Sequence, residues 1–135
     1  MIKDWEQIAD YFNAMRERSS NEAMRAALTG VKEAIDFINQ GPLRQTLFGW
    51  TSVGDLCVQQ ADIQPYSGPY LRLSPLASGL IEFRYVDTAI ERRQWHRTEV
   101  PNLAIQRLET FFDQLCWRPR PTQPGAGDVN RRNSN

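Results

Sequence analysis

The fold turns on the stretch LIEFRYVDTAIERRQWHRTE, residues 80–99. Its first part, LIEFRYV, alternates apolar and polar side chains, the pattern of a strand with one buried face. After the DTAIE loop, RRQWHRT (92–98) alternates again, so the two runs read as one β-hairpin. Register then decides which side chains share a face, because a slip of one residue turns all of them over. An even loop would set Ile81 and Phe83 beside His96 and Gln94, whereas an odd loop keeps aromatics with aromatics. The odd register places Phe83 opposite Trp95, Glu82 opposite His96, Arg84 opposite Gln94 and Val86 opposite Arg92. One face then carries Ile81, Phe83, Tyr85, Arg93, Trp95 and Arg97.

Two readings of that face compete. In one it is concave and open, with Tyr85 and Trp95 as platforms and Arg93 and Arg97 as anion-binding arms. Such a face suits a small anionic or aromatic ligand, or stacked bases of a single strand. In the other, Ile81, Phe83 and Trp95 lie under helices and the arginine heads reach the rim. On the opposite face, Glu82 and His96 form the candidate acid/base pair. The same pair, solvated, is an ordinary surface ion pair.

Outward from the hairpin, the preceding segments supply three more strands. TLFGWTS and LCVQQ flank Val53-Gly54-Asp55 as a second hairpin, DIQPYSGP is a loop, and YLRLS precedes the PLASG turn. Five strands on short connections predict an antiparallel meander, since parallel strands need long crossovers. Upstream, Trp5, Ile8, Phe12 and Met15 recur at helical spacing behind an Asp4/Gln7 capping box. A second helix is predicted from a Ser19/Glu22 box along Met24, Ala27, Leu28, Val31, Ile35 and Ile38, ended by Gly41-Pro42. Downstream, Pro101 opens a third helix with the stripe Ile105, Leu108, Phe112 and Leu115, ending near Trp117. The predicted fold is α+β: two N-terminal helices, a five-stranded antiparallel meander and a C-terminal helix, packed in two layers. The domain spans 1–117. The Pro/Arg-rich tail, 118–135, has one large apolar residue, Val129, and is expected to be disordered. Its RPRPTQP opening fits a polyproline-ligand pattern.

With 135 residues, 41% of them hydrophobic and 24% charged, the chain has enough apolar surface for a core without metal or disulfide. Sixteen basic residues balance sixteen acidic ones, so no global field favours nucleic acid. Arginine outnumbers lysine fourteen to two, which fits bidentate recognition and equally the codon usage of a GC-rich bacterial genome. Cys57 and Cys116 form no C-x-x-C or Cys/His cluster. The start MIKDWEQIAD does not resemble a signal peptide, and no apolar run is long enough to span a membrane. A cytoplasmic protein with reduced thiols is the expectation.

Phosphate-binding glycine loops and a nucleophile elbow are missing, and one histidine excludes the common His-based zinc sites. Neither cysteine suits a nucleophile: Cys57 alternates as a packing residue, and Cys116 sits at the negative end of a helix. No metal or cofactor is therefore expected. Catalysis is left open, since paired carboxylates among the sixteen acidic residues could still meet in the fold, but a non-catalytic role is favoured. The leading expectation is a non-catalytic binding or protein-interaction module, acting through the face around Trp95 or as a homodimer. The homodimer would use leftover aromatic area at Trp5, Tyr11, Phe12, Trp50 and Trp117. The alternative is a ligand-binding or enzymatic domain. Two leading helices and a curved sheet resemble the cone-shaped nuclear transport factor 2-like domains, which would imply a pocket on the sheet. The terminal helix departs from that pattern. A single-stranded nucleic-acid binder is the weakest of the three.

Overall fold

A computed structural model of the chain describes residues 2–118. The expected tail, with its polyproline pattern and its arginines at 131–132, lies outside the described residues apart from Arg118. Helices α1 (Trp5–Arg18) and α2 (Glu22–Asn39) lead into β1 (Phe48–Ser52), β2 (Asp55–Gln59), β3 (Tyr70–Pro75), β4 (Ile81–Val86) and β5 (Trp95–Glu99). Helix α3 (Ala104–Gln114) follows. All strand pairs are antiparallel and the spatial order is β1-β2-β3-β4-β5. The meander and the α+β order are as the sequence predicts.

The helix starts show local chemistry at work. Asp4 caps α1 through the Glu6 N–H, at 3.4 Å. For α2 the expected Ser19 cap is replaced by Asn21, whose Oδ1 accepts from the Ala23 N–H at 2.9 Å and the Met24 N–H at 3.3 Å. Asn is as good a cap as Ser, and the residue nearer the apolar stripe wins. Ser19 instead ends α1. Pro101 begins a short 3-10 turn, Pro101–Leu103, and α3 proper starts after it. That helix ends in a left-handed residue, Cys116, with φ 59°. The Trp117 N–H reaches back to the Phe112 carbonyl at 2.9 Å, and the two rings lie 6.1 Å apart. This is a Schellman closure with its accompanying apolar contact.

The β1–β2 turn is a two-residue turn at Val53 and Gly54, with φ 49° and 83°, closed by Ser52 opposite Asp55. Positive φ at both central residues is the type I′ geometry that matches strand twist, and a β-branched residue there is strained. Val53 is 98% exposed, so its side chain has no packing to lose. Val53→Asn is expected to raise stability by about 1 kcal/mol, read from the urea midpoint at unchanged slope. No gain would mean that the turn relaxes in solution.

Successive side chains of a strand point to opposite faces. One face of the sheet buries Leu56, Val58, Leu71, Leu73, Ile81, Phe83 and Tyr85 in a common core with Ile8, Phe12, Leu28, Val31, Ile35, Leu108 and Phe112 of the helices. Two glycines allow the layers to close. A Cβ on Gly30 of α2 would lie 2.7 Å from Ile81 Cδ1 and 3.0 Å from Pro101 Cα. A Cβ on Gly49 of β1 would lie 2.7 Å from both Ile8 Cδ1 and Trp5 Cη2. The helices cover this face only. On the opposite face Cys57 and Gln59 are buried beneath other side chains and the loop after β2, and the surface is open toward the β4–β5 end, at Arg84 and His96.

At the sheet's edge, Glu99 of β5 is tied to α3. Its Oε2 accepts from Arg107 Nη2 at 2.8 Å and Nε at 3.1 Å, and its Oε1 from the Val100 N–H at 3.1 Å. The hydrogen bonds from Arg107 hold the Glu99 carboxyl below the usual range, against a small opposing effect of burial. A lowered folded-state pKa gives stability that is present above the unfolded value, about 4.3, and lost as pH falls through the folded one. Comparing wild type with Glu99→Gln by chemical denaturation, the stability gap should be widest near neutral pH and close below about pH 4. A gap independent of pH would remove the ion pair as its cause.

Candidate functional site

The hairpin predicted over residues 80–99 forms, but its register differs by two residues. Tyr85 lies opposite Trp95, Arg84 opposite His96, Phe83 opposite Arg97 and Glu82 opposite Thr98. The loop is the reason. Asp87 Oδ1 accepts from the Ile90 N–H and Gln94 Oε1 from the Asp87 N–H, each at 3.0 Å. These bonds wind Glu91–Arg93 into a 3-10 turn, so β5 starts at Trp95 and not at Arg92. A shift of two keeps every side chain of β4 and β5 on its predicted face and changes only its partner, while Arg92 and Arg93 leave the strand for the turn. The Glu82–His96 pair is thereby undone: His96 faces Arg84 across the strands, and Glu82 Oε1 lies 3.5 Å from Arg84 Nε.

The residues expected to bind ligand divide. Tyr85 and Trp95 do lie side by side, with ring centroids 5.8 Å apart and planes inclined by 22°. Both belong to the covered face, where Trp95 sits 4.0 Å from Phe111 of α3 and Tyr85 packs edge-on to Trp117 at 6.3 Å. Burial, with the nearby Asp87 charge, raises the Tyr85 hydroxyl pKa against the opposing Arg93. Arg97 sits exposed at the rim, its Nη1 donating to the His96 carbonyl at 2.9 Å, and Arg93 is exposed in the 3-10 turn. The four form no concave platform, because α3 occupies the place a ligand would take. The aromatic area offered to a second copy is likewise used internally: Trp5, Phe12 and Trp117 are buried, and Tyr11 packs at 5.2 Å on Phe12.

The open face carries the remaining chemistry. Its central row, read across the register, is Trp50, Cys57, Arg72, Arg84 and His96. Arg72 Nε donates to Asp55 Oδ2 at 2.7 Å and its Nη2 to the Ser52 carbonyl at 3.3 Å. Burial works against the Arg72 charge, but the hydrogen bond it donates to Asp55, with nearby negative groups, outweighs it and raises the pKa. Arg84 Nη2 lies 3.6 Å from the same Asp55 oxygen and 3.3 Å from Ser74 Oγ. Trp50 tilts onto Tyr70 at 5.4 Å and donates to Gln59, which also holds the Ala61 and Ile63 carbonyls. Burial pushes the Cys57 thiol up to about 12, only partly offset by Arg72 and Arg84, so it stays protonated and unreactive.

At the β4–β5 end of this face lies a cavity of about 320 Å³, lined by Arg84, Tyr85, Val86, Gln94, Trp95 and His96. Arg84, Val86, Gln94 and His96 have the outward parity, while Tyr85 and Trp95 contribute from the strands that floor it. Period-two alternation already groups Glu82, Arg84, Val86, Gln94 and His96. The signal was present in the sequence, but it reads equally as a solvated face until the helices are placed. Among the described residues, no group of three His, Cys, Asp or Glu side chains is placed to hold a metal ion, and no helix is long and apolar enough to cross a membrane. No family model, no curated protein and no solved structure matches this chain.

Proposed function

We propose that this protein is a small non-catalytic binding module whose ligand surface is the open face of the sheet, at the β4–β5 end. One observation carries the reading: the helices cover one face, and the cavity of about 320 Å³ lies on the other. That size is at the lower end of small-molecule sites. A side-chain frame pinned by the Arg72–Asp55 ion pair at 2.7 Å gives the surface a fixed shape, which lowers the ordering cost of binding. Cytoplasmic residence, with Cys57 and Cys116 as free thiols, accords with this role.

The test is a fragment screen of small aromatic acids, amides and alcohols, followed by backbone amide NMR shifts. Hits are expected to move residues 84–86 and 94–96 together and to leave α1 and α2 still. Hits that cluster on the helices instead would overturn the assignment of the open face.

A further inference from the structure

We infer that the cavity selects a small planar carboxylate, with Arg84 and Gln94 as the residues that recognise it. This rests on the open-face reading above and adds the chemistry of the ligand.

The polar groups available to a guest there are donors. Arg84 is donor-only. Its Nη2 reaches Ser74 Oγ and its Nε is buried 3.5 Å from Glu82 Oε1, while the side chain as a whole is 40% exposed, which leaves the rest of the guanidinium to a guest. The two nearest carboxylates, Asp55 at 3.6 Å and Glu82 at 3.5 Å, stand beyond ordinary hydrogen-bond length. Asp55 is also shared, since the same oxygen holds Arg72 at 2.7 Å. Gln94 is oriented by its loop: the Asp87 N–H can only donate, so Gln94 turns Oε1 toward it and leaves its NH2 for a guest. His96, opposite Arg84, carries a ring N–H in either tautomer. Among the described residues no acidic side chain lines the cavity, and Val86 gives it an apolar wall. The exposed part of a guanidinium, an amide NH2 and an imidazole N–H beside an apolar wall match a planar, two-oxygen acceptor on a flat apolar body.

Benzoate is the probe and benzamide its neutral isostere. Titrated near neutral pH into labelled protein, benzoate should saturably shift the Arg84 guanidinium N–H groups, the Gln94 side-chain amide and backbone amides 84–86 and 94–96. Benzamide should bind at least about tenfold more weakly, because hydrogen bonds to a charged group are the stronger ones. Arg84→Gln should weaken benzoate by a similar factor and leave benzamide unchanged, while Arg97→Gln, on the other face, should change neither. Gln94→Glu can keep the Asp87 contact and replaces the donor with a negative charge, so it should abolish benzoate binding even if Arg84→Gln proves poorly folded. Equal affinity for benzoate and benzamide at residues 84–86 and 94–96 would overturn the carboxylate inference and leave the binding surface standing. Benzoate binding unaffected by Arg84→Gln or Gln94→Glu would overturn it as well. Shifts confined to other residues would remove both readings.

Discussion

Trp95→Ala is expected to destabilise the fold by about 2–3 kcal/mol, lowering the melting temperature by roughly 10 °C, with the change confined to α3, β5 and the cavity beside them. Trp95 is half-buried, and its ring meets Phe111 at 4.0 Å and Tyr85 at 5.8 Å. Removing it strips cover from the β4–α3 interface and leaves a gap that Phe111 can only partly fill. The loss sits somewhat below the cost of a fully buried aromatic because part of the indole already touches solvent. Thermal unfolding gives the magnitude. Backbone amide shifts give the specificity: α3 and β5 should move while Arg72 and Asp55 stay in place. A variant with wild-type stability would mean that Trp95 is free of the core and serves only the cavity that it lines. Sequence alone groups it with Tyr85, Arg93 and Arg97.

A second large effect is expected at a residue with no side chain. Gly49→Ala should cost about 2–3 kcal/mol, because overpacking a close contact forces the backbone or its neighbours to move. The added methyl would stand 2.7 Å from Trp5 Cη2 and 2.8 Å from Cζ3. The Ile8 terminus can rotate away; the indole cannot, since its Nε1 donates to the Leu47 carbonyl at 3.1 Å. The Gly49 carbonyl also accepts from the Lys3 N–H at 2.9 Å, so the chain on both sides of the clash is pinned. Urea denaturation of Gly49→Ala in wild-type and Trp5→Leu backgrounds separates the causes. If the indole is the obstacle, the alanine costs less beside leucine. Equal costs would place the strain in the strand itself.

Much of this fold is legible in one sequence, for identifiable reasons. Helical and strand periodicities are local, so α1, α2, α3 and the meander follow from residue order. The face of each side chain in β4 and β5 was legible too, because parity survives a register shift of two. The partners were not. They depend on how many residues the loop consumes, and a turn built by Asp87 and Gln94 side chains has no periodicity to betray it. The choice of Asn21 over Ser19 as a helix cap is of the same kind, a competition between neighbours of near-equal propensity.

By itself, then, the sequence determined the element order, the two-layer class and the division of the hairpin into a Tyr85/Trp95 face and an Arg84/His96 face. Only the tertiary structure decided which of those faces meets the helices. Alternation labels two sides of a strand without saying which is in, and a face with two aromatics and two arginines suits a ligand or a core alike. The decision lies in Phe111 and Trp117 of the C-terminal segment, more than ten residues further along the chain, which pack on Trp95 and Tyr85. Burying those aromatics removes more apolar area from water than burying the Arg84/His96 row would, and spares that row the cost of desolvating charge. The helices therefore take the aromatic face, and the polar face, with its cavity, is left outside the core.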